Sequence, residues 1–285
     1  MNFKKLRIGG VPEHFNYPWI KAIESSLFSS HNIEVVWHNF SGGTGAMAQA
    51  LKNDEIDLAL LLTEGAVKEI ATGAPFKIIN TYVETPLIWG VHSASGVLNK
   101  ANISTYRFAI SRYGSGSHLM AYVYASQNEA VISEDNMVVV GDIDGARKAL
   151  LNCEAELFLW ERFMTKPLVD SGEFQLFDQI PTPWPCFMLV ANNHYFYNYK
   201  NIIKLTLDIF YKSFENLFHT GTLSNDIANF YKLKEEDVTV WLSQTKWVLD
   251  NKLDKSALKN VSNTLCQLGI LKNSPDIDSL FFKFE

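Results

Sequence analysis

The chain has 285 residues, 47% of them hydrophobic and 20% charged. That composition supports a packed core and excludes a disordered or low-complexity chain, at a length where one core commonly gives way to two domains. With 25 Lys+Arg against 31 Asp+Glu the formal net charge is -6, and the densest basic run is only Lys4-Lys5-Leu6-Arg7, so nucleic acid is excluded as a partner.

The three cysteines, Cys153, Cys186 and Cys266, are dispersed and odd in number. They predict neither a redox pair nor a disulfide framework, and a reducing compartment suits them. No stretch approaches the roughly 18 consecutive apolar residues of a membrane span. The amino terminus has charges without a following apolar run, so a cytoplasmic location is expected for the chain as given, and a periplasmic one only if an upstream signal has been removed.

Taken in order, short apolar runs predict strands over residues 6–9, 33–39, 56–62, 77–82 and 87–92, alternating with amphipathic segments as in βαβ units. Pro18 suits a first helical turn, and Trp19, Ile23 and Leu27 recur at helical spacing, which predicts a helix over 17–29 with one buried stripe. Ala46, Ala50 and Leu51 repeat that logic. A second series follows: strand 107–110, helix 117–128, strand 137–140, helix 142–151, strand 156–159 and helix 161–171.

From residue 198 the pattern turns helical, with Ile202, Leu205, Ile209 and Phe210 on one face and Val240, Leu242, Trp247 and Leu249 further on. Residues 81–93 and 183–192 are apolar, contain prolines and flank the second series, so they are expected to be the two crossings between lobes. The expected domains are 1–88 with 188–285, and 89–187.

The strongest motif is Ile110-Ser111-Arg112-Tyr113-Gly114-Ser115-Gly116-Ser117-His118, between a strand and a helix. Glycines let backbone approach a ligand, free amides and the helix dipole attract an anion, and Ser115 and Ser117 add hydroxyls, with Ser117 as the expected N-cap. An ordinary capped turn is the competing reading. Arg112 and His118, with their charge and donors beside the turn, favour ligand contact. Phe40-Ser41-Gly42-Gly43-Thr44-Gly45 stands in the same setting, and two such loops could clamp one polar molecule between lobes. Neither matches a nucleotide-hydrolysing phosphate loop, since no lysine follows the second glycine.

His14, Phe15 and Trp19, after the first strand, could hold a planar ligand or staple a helix start. Thr63 and Glu64, and likewise Trp160 and Glu161, lie at strand-to-helix junctions where ligand contact competes with capping. Trp184 falls where the chain recrosses, and Cys186 reads as a small buried hydrophobe. No histidine spacing suits a metal, Ser115 is not in a GxSxG elbow, and no catalytic residue, metal or cofactor is assigned.

Arg7–Val11, Ser41–Gly45 with Ala50-Leu51 and Ile56-Asp57-Leu58-Ala59, Ile110–His118 and Leu159-Trp160-Glu161 together resemble the periplasmic-binding-protein-like type II superfamily. The similarity is greatest to its sulfonate/nitrate/taurine and thiamine-pyrimidine-precursor binding group, and it reaches into the helical tail at Leu268-Gly269-Ile270-Leu271. The resemblance implies an α/β fold of two lobes, each with a mainly parallel sheet, and crossover strands that hinge them to close on a ligand. It implies a small-molecule ligand, anionic and partly aromatic or heterocyclic. For an exported member it also implies a membrane permease as partner. The same superfamily contains thiamine-pyrimidine synthases that consume pyridoxal phosphate and a histidine, but their CCCFC motif is absent here, which places binding or ligand sensing ahead of catalysis.

Overall fold

The computed structural model describes residues 3–94, 98–250 and 252–283. It divides into two compact units, Met1–Thr85 with Trp184–Glu285, and Pro86–Pro183. The first unit opens with β1 (Lys4–Gly10), α1 (Tyr17–Glu24), β2 (Ile33–Asn39), α2 (Gly43–Lys52), β3 (Leu58–Leu62), α3 (Thr63–Ala71) and β4 (Phe76–Val83). The second holds β5 (Ile88–Ser93), β6 (Phe108–Ile110), α4 (Gly116–Gln127), β7 (Met137–Val139), α5 (Ile143–Leu151), β8 (Leu157–Glu161), α6 (Arg162–Asp170) and β9 (Gln175–Pro181). The chain then returns through β10 (Phe187–Asn192) to α7 (Asn193–Phe218), α8 (Leu223–Tyr231), α9 (Glu235–Ser243) and α10 (Lys255–Gln267).

Each unit is built on a five-stranded sheet, ordered β2-β1-β3-β10-β4 and β7-β6-β8-β5-β9. The two orders are the same pattern. In each, three strands pair in parallel, and the strand that enters the unit at a crossing, β10 or β5, inserts antiparallel between the third and the last. Four of five strands in each sheet therefore point one way. β3 (LALLL) and β10 (FMLVAN) are nearly continuous apolar runs because both of their faces are covered, as interior strands of such sheets require.

The repeat extends to side chains at the amino end of each sheet. Asp57 accepts from Arg7 through its amide (2.7 Å), Nε (3.1 Å) and Nη2 (2.6 Å). Glu156 accepts from Arg107 through the same three groups at 2.7, 3.2 and 2.6 Å. A bidentate guanidinium–carboxylate clasp thus locks β1, and the residue leading into β6, to the segments entering β3 and β8, the third strand in each sheet's order.

Several expectations are corrected. α1 stops at Glu24, because Ser26 takes a left-handed conformation (φ 59°), and Leu27 is 39% exposed rather than part of a buried stripe. Phe28 is buried in its place, 6.3 Å from the Trp19 ring. β3 begins two residues later than predicted, after Asp57 has turned to its arginine. Residues 183–192 are not merely a crossing, since β10 is an interior strand between β3 and β4, and β9 is an edge strand that no predicted element covered. In α9 the buried residues are Val238 and Trp241, not Val240, which is 48% exposed. Gly145 in α5 is obligatory by contact: a Cβ there would lie 1.9 Å from the Val140 carbonyl oxygen.

Candidate functional site

Because β1, β2 and β3 run parallel, the loops that leave them gather at one edge of the first sheet, and antiparallel β10 begins at that edge, Phe187 facing Leu62. The carboxyl edge of such a sheet is where ligand-binding loops of open α/β folds lie. The first unit brings there His14 and Phe15, the 41–44 turn, Thr63, Glu64 and Trp184. The second unit has the equivalent edge at the ends of β6, β7 and β8, with the 111–118 turn and Glu161.

In the second unit the 111–118 turn is organised by its serines. Gly114 is left-handed (φ 76°), which reverses the chain ahead of α4. Ser115, not Ser117, is the N-cap: its Oγ accepts the His118 amide at 3.3 Å. Ser117 sits two residues later, inside the helix, and its Oγ instead accepts the Ser111 amide at 3.0 Å while lying 3.0 Å from Ser115 Oγ and 3.4 Å from Ser111 Oγ. Three hydroxyls thus surround the start of α4, where the amides of Gly116 and Ser117 have no acceptor within the helix.

His118 Nδ1 accepts the Gly114 amide at 3.0 Å, so the neutral ring carries its proton on Nε2. Tyr113 and Tyr122 meet that ring edge-on at 5.4 and 5.2 Å. Arg112 is half-buried at the same turn. Glu161 caps α6, its Oε2 accepting the Met164 amide at 2.7 Å. Trp160 is half-buried and packs beside Phe158 (ring centroids 5.4 Å apart) against the unit's apolar cluster, on the sheet's face rather than at its edge.

In the first unit His14 is wholly enclosed, its ring 3.9 Å from Trp241, 4.8 Å from Phe15 and 6.3 Å from Tyr231. Burial pushes its imidazole down to about 3, so it is neutral. Its neighbour Glu13 is half-buried, and desolvation pushes that carboxyl up to about 7. The Phe15 carbonyl accepts from Tyr82 Oη (2.7 Å) and Trp247 Nε1 (3.1 Å), fixing the turn, and the Phe15 ring meets Phe187 at 5.2 Å. Trp241 and Tyr231 come from the helical tail and were missed in the sequence, while Trp247, expected in a helix, follows α9 and forms a bridge to Val83. Nothing in the tail's spacing ties those positions to residue 14.

Two predicted site residues are corrected. Trp19 is 0% exposed and stacks flat on Phe210 (3.9 Å, 7°), which makes it a core residue. Thr63 is 0% exposed and its hydroxyl donates to the Pro185 carbonyl at 2.5 Å, so that group is spent on tying α3 to the chain before β10. Glu64, beside it, is 3% exposed, and its Oε2 accepts from Trp184 Nε1 at 2.8 Å. Burial raises its carboxyl to about 7, even with its own amide and the indole N–H pulling the other way.

Ser41 and Gly42 are exposed, Gly43 is left-handed (φ 65°), and α2 starts there without a side-chain cap. Thr44 Oγ1 accepts the Leu62 amide at 3.1 Å, joining this turn to the end of β3. Among the described residues no group of three or more His, Cys, Asp or Glu is placed to hold a metal, and no helix is long and apolar enough to cross a membrane.

Comparison with known proteins bears on this arrangement. Residues 89–180 match a family model described as Ca3427-like PBP. The Candida albicans CA3427 gene product, described as defining a new family with the generic periplasmic binding protein fold, is 25% identical with a TM-score of 0.90, over 99% of this chain and 97% of that one. The alkanesulfonate-binding protein SsuA from Xanthomonas axonopodis pv. citri, solved bound to MOPS, is 15% identical with a TM-score of 0.76, over 96% and 95%. The periplasmic aliphatic sulphonate binding protein SsuA of Escherichia coli is 15% identical with a TM-score of 0.74, over 98% and 97%. No curated protein sequence matches the chain. The fold is therefore the two-lobed α/β fold of periplasmic binding proteins.

Proposed function

We propose that this chain, which has the two-lobed α/β fold of periplasmic binding proteins, reversibly binds a small organic anion, partly aromatic or heterocyclic, at the carboxyl edge of its second sheet. The observation that carries the reading is the start of α4. Helix-end amides, three serine hydroxyls and the Arg112 guanidinium are all donors of the kind a sulfonate or similar oxyanion accepts. In the first unit the corresponding turn is Ser41-Gly42-Gly43 ahead of α2, with Ser41 and Gly42 exposed. The sulfonates named for the SsuA proteins support the anionic class, and MOPS, a sulfonate carrying a heterocycle, supports the mixed character.

The test is calorimetric titration with MOPS as the probe. Arg112→Ala should weaken binding by about tenfold to a hundredfold, the worth of a charge-assisted hydrogen bond of roughly 1.5–3 kcal/mol, while leaving the thermal transition in place. Unchanged affinity removes Arg112 and the α4 turn from the site.

A further inference from the structure

The second sheet carries, at the edge where α4 begins, a donor that its own fold leaves unused. In the order β7-β6-β8-β5-β9, the step from β6 to β7 and the step from β7 to β8 run in opposite directions, so α4 and α5 lie on opposite faces. α5 packs on the face of Ala109, Phe158 and Trp160. Side chains alternate along a strand, and paired residues of neighbouring strands share a face. Glu161 and Trp89, which pair in register, therefore lie on the opposite face, the one α4 covers as it packs on β6 and β8. Both stand at the carboxyl end of β8, level with the end of β6 from which the 111–118 turn departs.

Trp89 is 4% exposed, and its indole N–H, a group that can only donate, has no acceptor among the described residues. A buried donor left unpaired costs free energy. Neighbouring groups are engaged: Glu161 Oε2 takes the Met164 amide at 2.7 Å, and the Leu87 amide donates to Thr182 Oγ1 at 3.0 Å, which fixes the entry to β5.

The first unit shows what packing alone requires at this position. There β10 is the inserted strand, and Phe187 stands opposite Leu62, the last residue of β3, as Trp89 stands opposite Glu161, the last residue of β8. Phe187 is as deeply buried and fills its place with a ring that has no donor. The N–H of Trp89 is thus surplus to the fold. Trp19 and Trp241 also leave an indole N–H unpaired, but both belong to the first unit. Among the described residues Trp89 is the one buried, unpaired indole on the edge that holds the α4 turn.

We propose that the Trp89 indole N–H is a further donor of the second unit's site and holds an acceptor oxygen of the bound molecule alongside the 111–118 turn. This rests on the reading that the edge binds an anion, and adds to it a residue that the glycine–serine pattern does not mark. An enclosed donor meets no competition from water, so its bond to an oxyanion should contribute about tenfold in affinity.

Two measurements on the full chain test it. The first is calorimetric titration of wild type, Trp89→Phe and Arg112→Ala with MOPS. Trp89→Phe supplies the side chain that the first unit uses at the matching place, and should weaken binding about tenfold while keeping a cooperative thermal transition. The second needs no variant: in a nitrogen–proton correlation spectrum of wild type, the Trp89 indole peak, assigned through its own side-chain connectivities, should move downfield as MOPS saturates the protein. Unchanged affinity in Trp89→Phe overturns the proposal, and so does weakened affinity with an unmoved Trp89 peak, which would reduce residue 89 to packing. If Arg112→Ala weakens binding and Trp89→Phe does not, the anion reading stands and the role of Trp89 falls. If Trp89→Phe weakens binding, the peak moves and Arg112→Ala has no effect, Trp89 keeps its role and the reading of the α4 turn falls instead. Absence of MOPS binding to wild type overturns both.

Discussion

The carboxyl of Glu64 should make the protein less stable than it need be, and by an amount the structure sets. Burial lifts it from the ordinary 4.5 to about 7. Below pH 4.5 the folded and unfolded chains both hold the proton and nothing is lost. Between about 4.5 and 7 the unfolded chain releases it while the folded chain keeps it, so stability falls as pH rises, and above about 7 the loss is complete. At about 1.36 kcal/mol per pH unit, that window amounts to roughly 3 kcal/mol. Glu64→Gln removes the ionisation and keeps an oxygen for Trp184, so the variant should match wild type near pH 4.5 and exceed it by roughly 3 kcal/mol at pH 8. Urea unfolding of both proteins at the two pH values measures this. Identical pH dependence in wild type and variant would refute the reasoning, because it would mean that Glu64 ionises in the folded chain as freely as in water.

Two further outcomes follow from the second unit. Gly145→Ala places a Cβ 1.9 Å from the Val140 carbonyl oxygen, an atom of the backbone that cannot swing aside. It should lower stability by about 1–3 kcal/mol in thermal unfolding, and an unchanged melting temperature would contradict the contact. His92 is fully enclosed between the Phe158 carbonyl (3.2 Å from Nδ1) and Thr165 Oγ1 (2.9 Å from Nε2), and desolvation pushes it down to about 4 from 6.5. The unfolded chain binds that proton first, so stability should fall by roughly 3 kcal/mol as pH drops from 6.5 to 4. His92→Asn should flatten that part of the profile, and a slope unchanged by the substitution would contradict it.

The alternation of apolar runs and amphipathic segments was enough to read the α/β class, because strand and helix periods differ and each run is bounded by turn residues. The two glycine–serine turns were legible for the same reason, as each follows a strand and opens a helix. What the sequence hid were features set by distant partners. β10 is as apolar as a crossing segment would be, and only its pairing with Leu58–Leu62 and Phe76–Val83 makes it an interior strand. Trp19 and Phe15 lie four residues apart in similar surroundings, yet one stacks on Phe210 in the core and the other frames the edge turn. The burial of His14 beneath Trp241 depends on a helix more than two hundred residues away. Ser115 and Ser117 could each have capped α4, and their division of labour is settled by the Ser111 amide, which takes Ser117.

The central claim is that donors at the head of α4 hold the charge of a small anion. Its most direct measurement is the affinity of the full chain for MOPS set against 4-propylmorpholine, the same heterocycle and chain without the sulfonate. Loss of the sulfonate should cost about tenfold or more. Equal binding of the two would mean that the oxyanion goes unrecognised and that the serines and Arg112 serve only to start a helix.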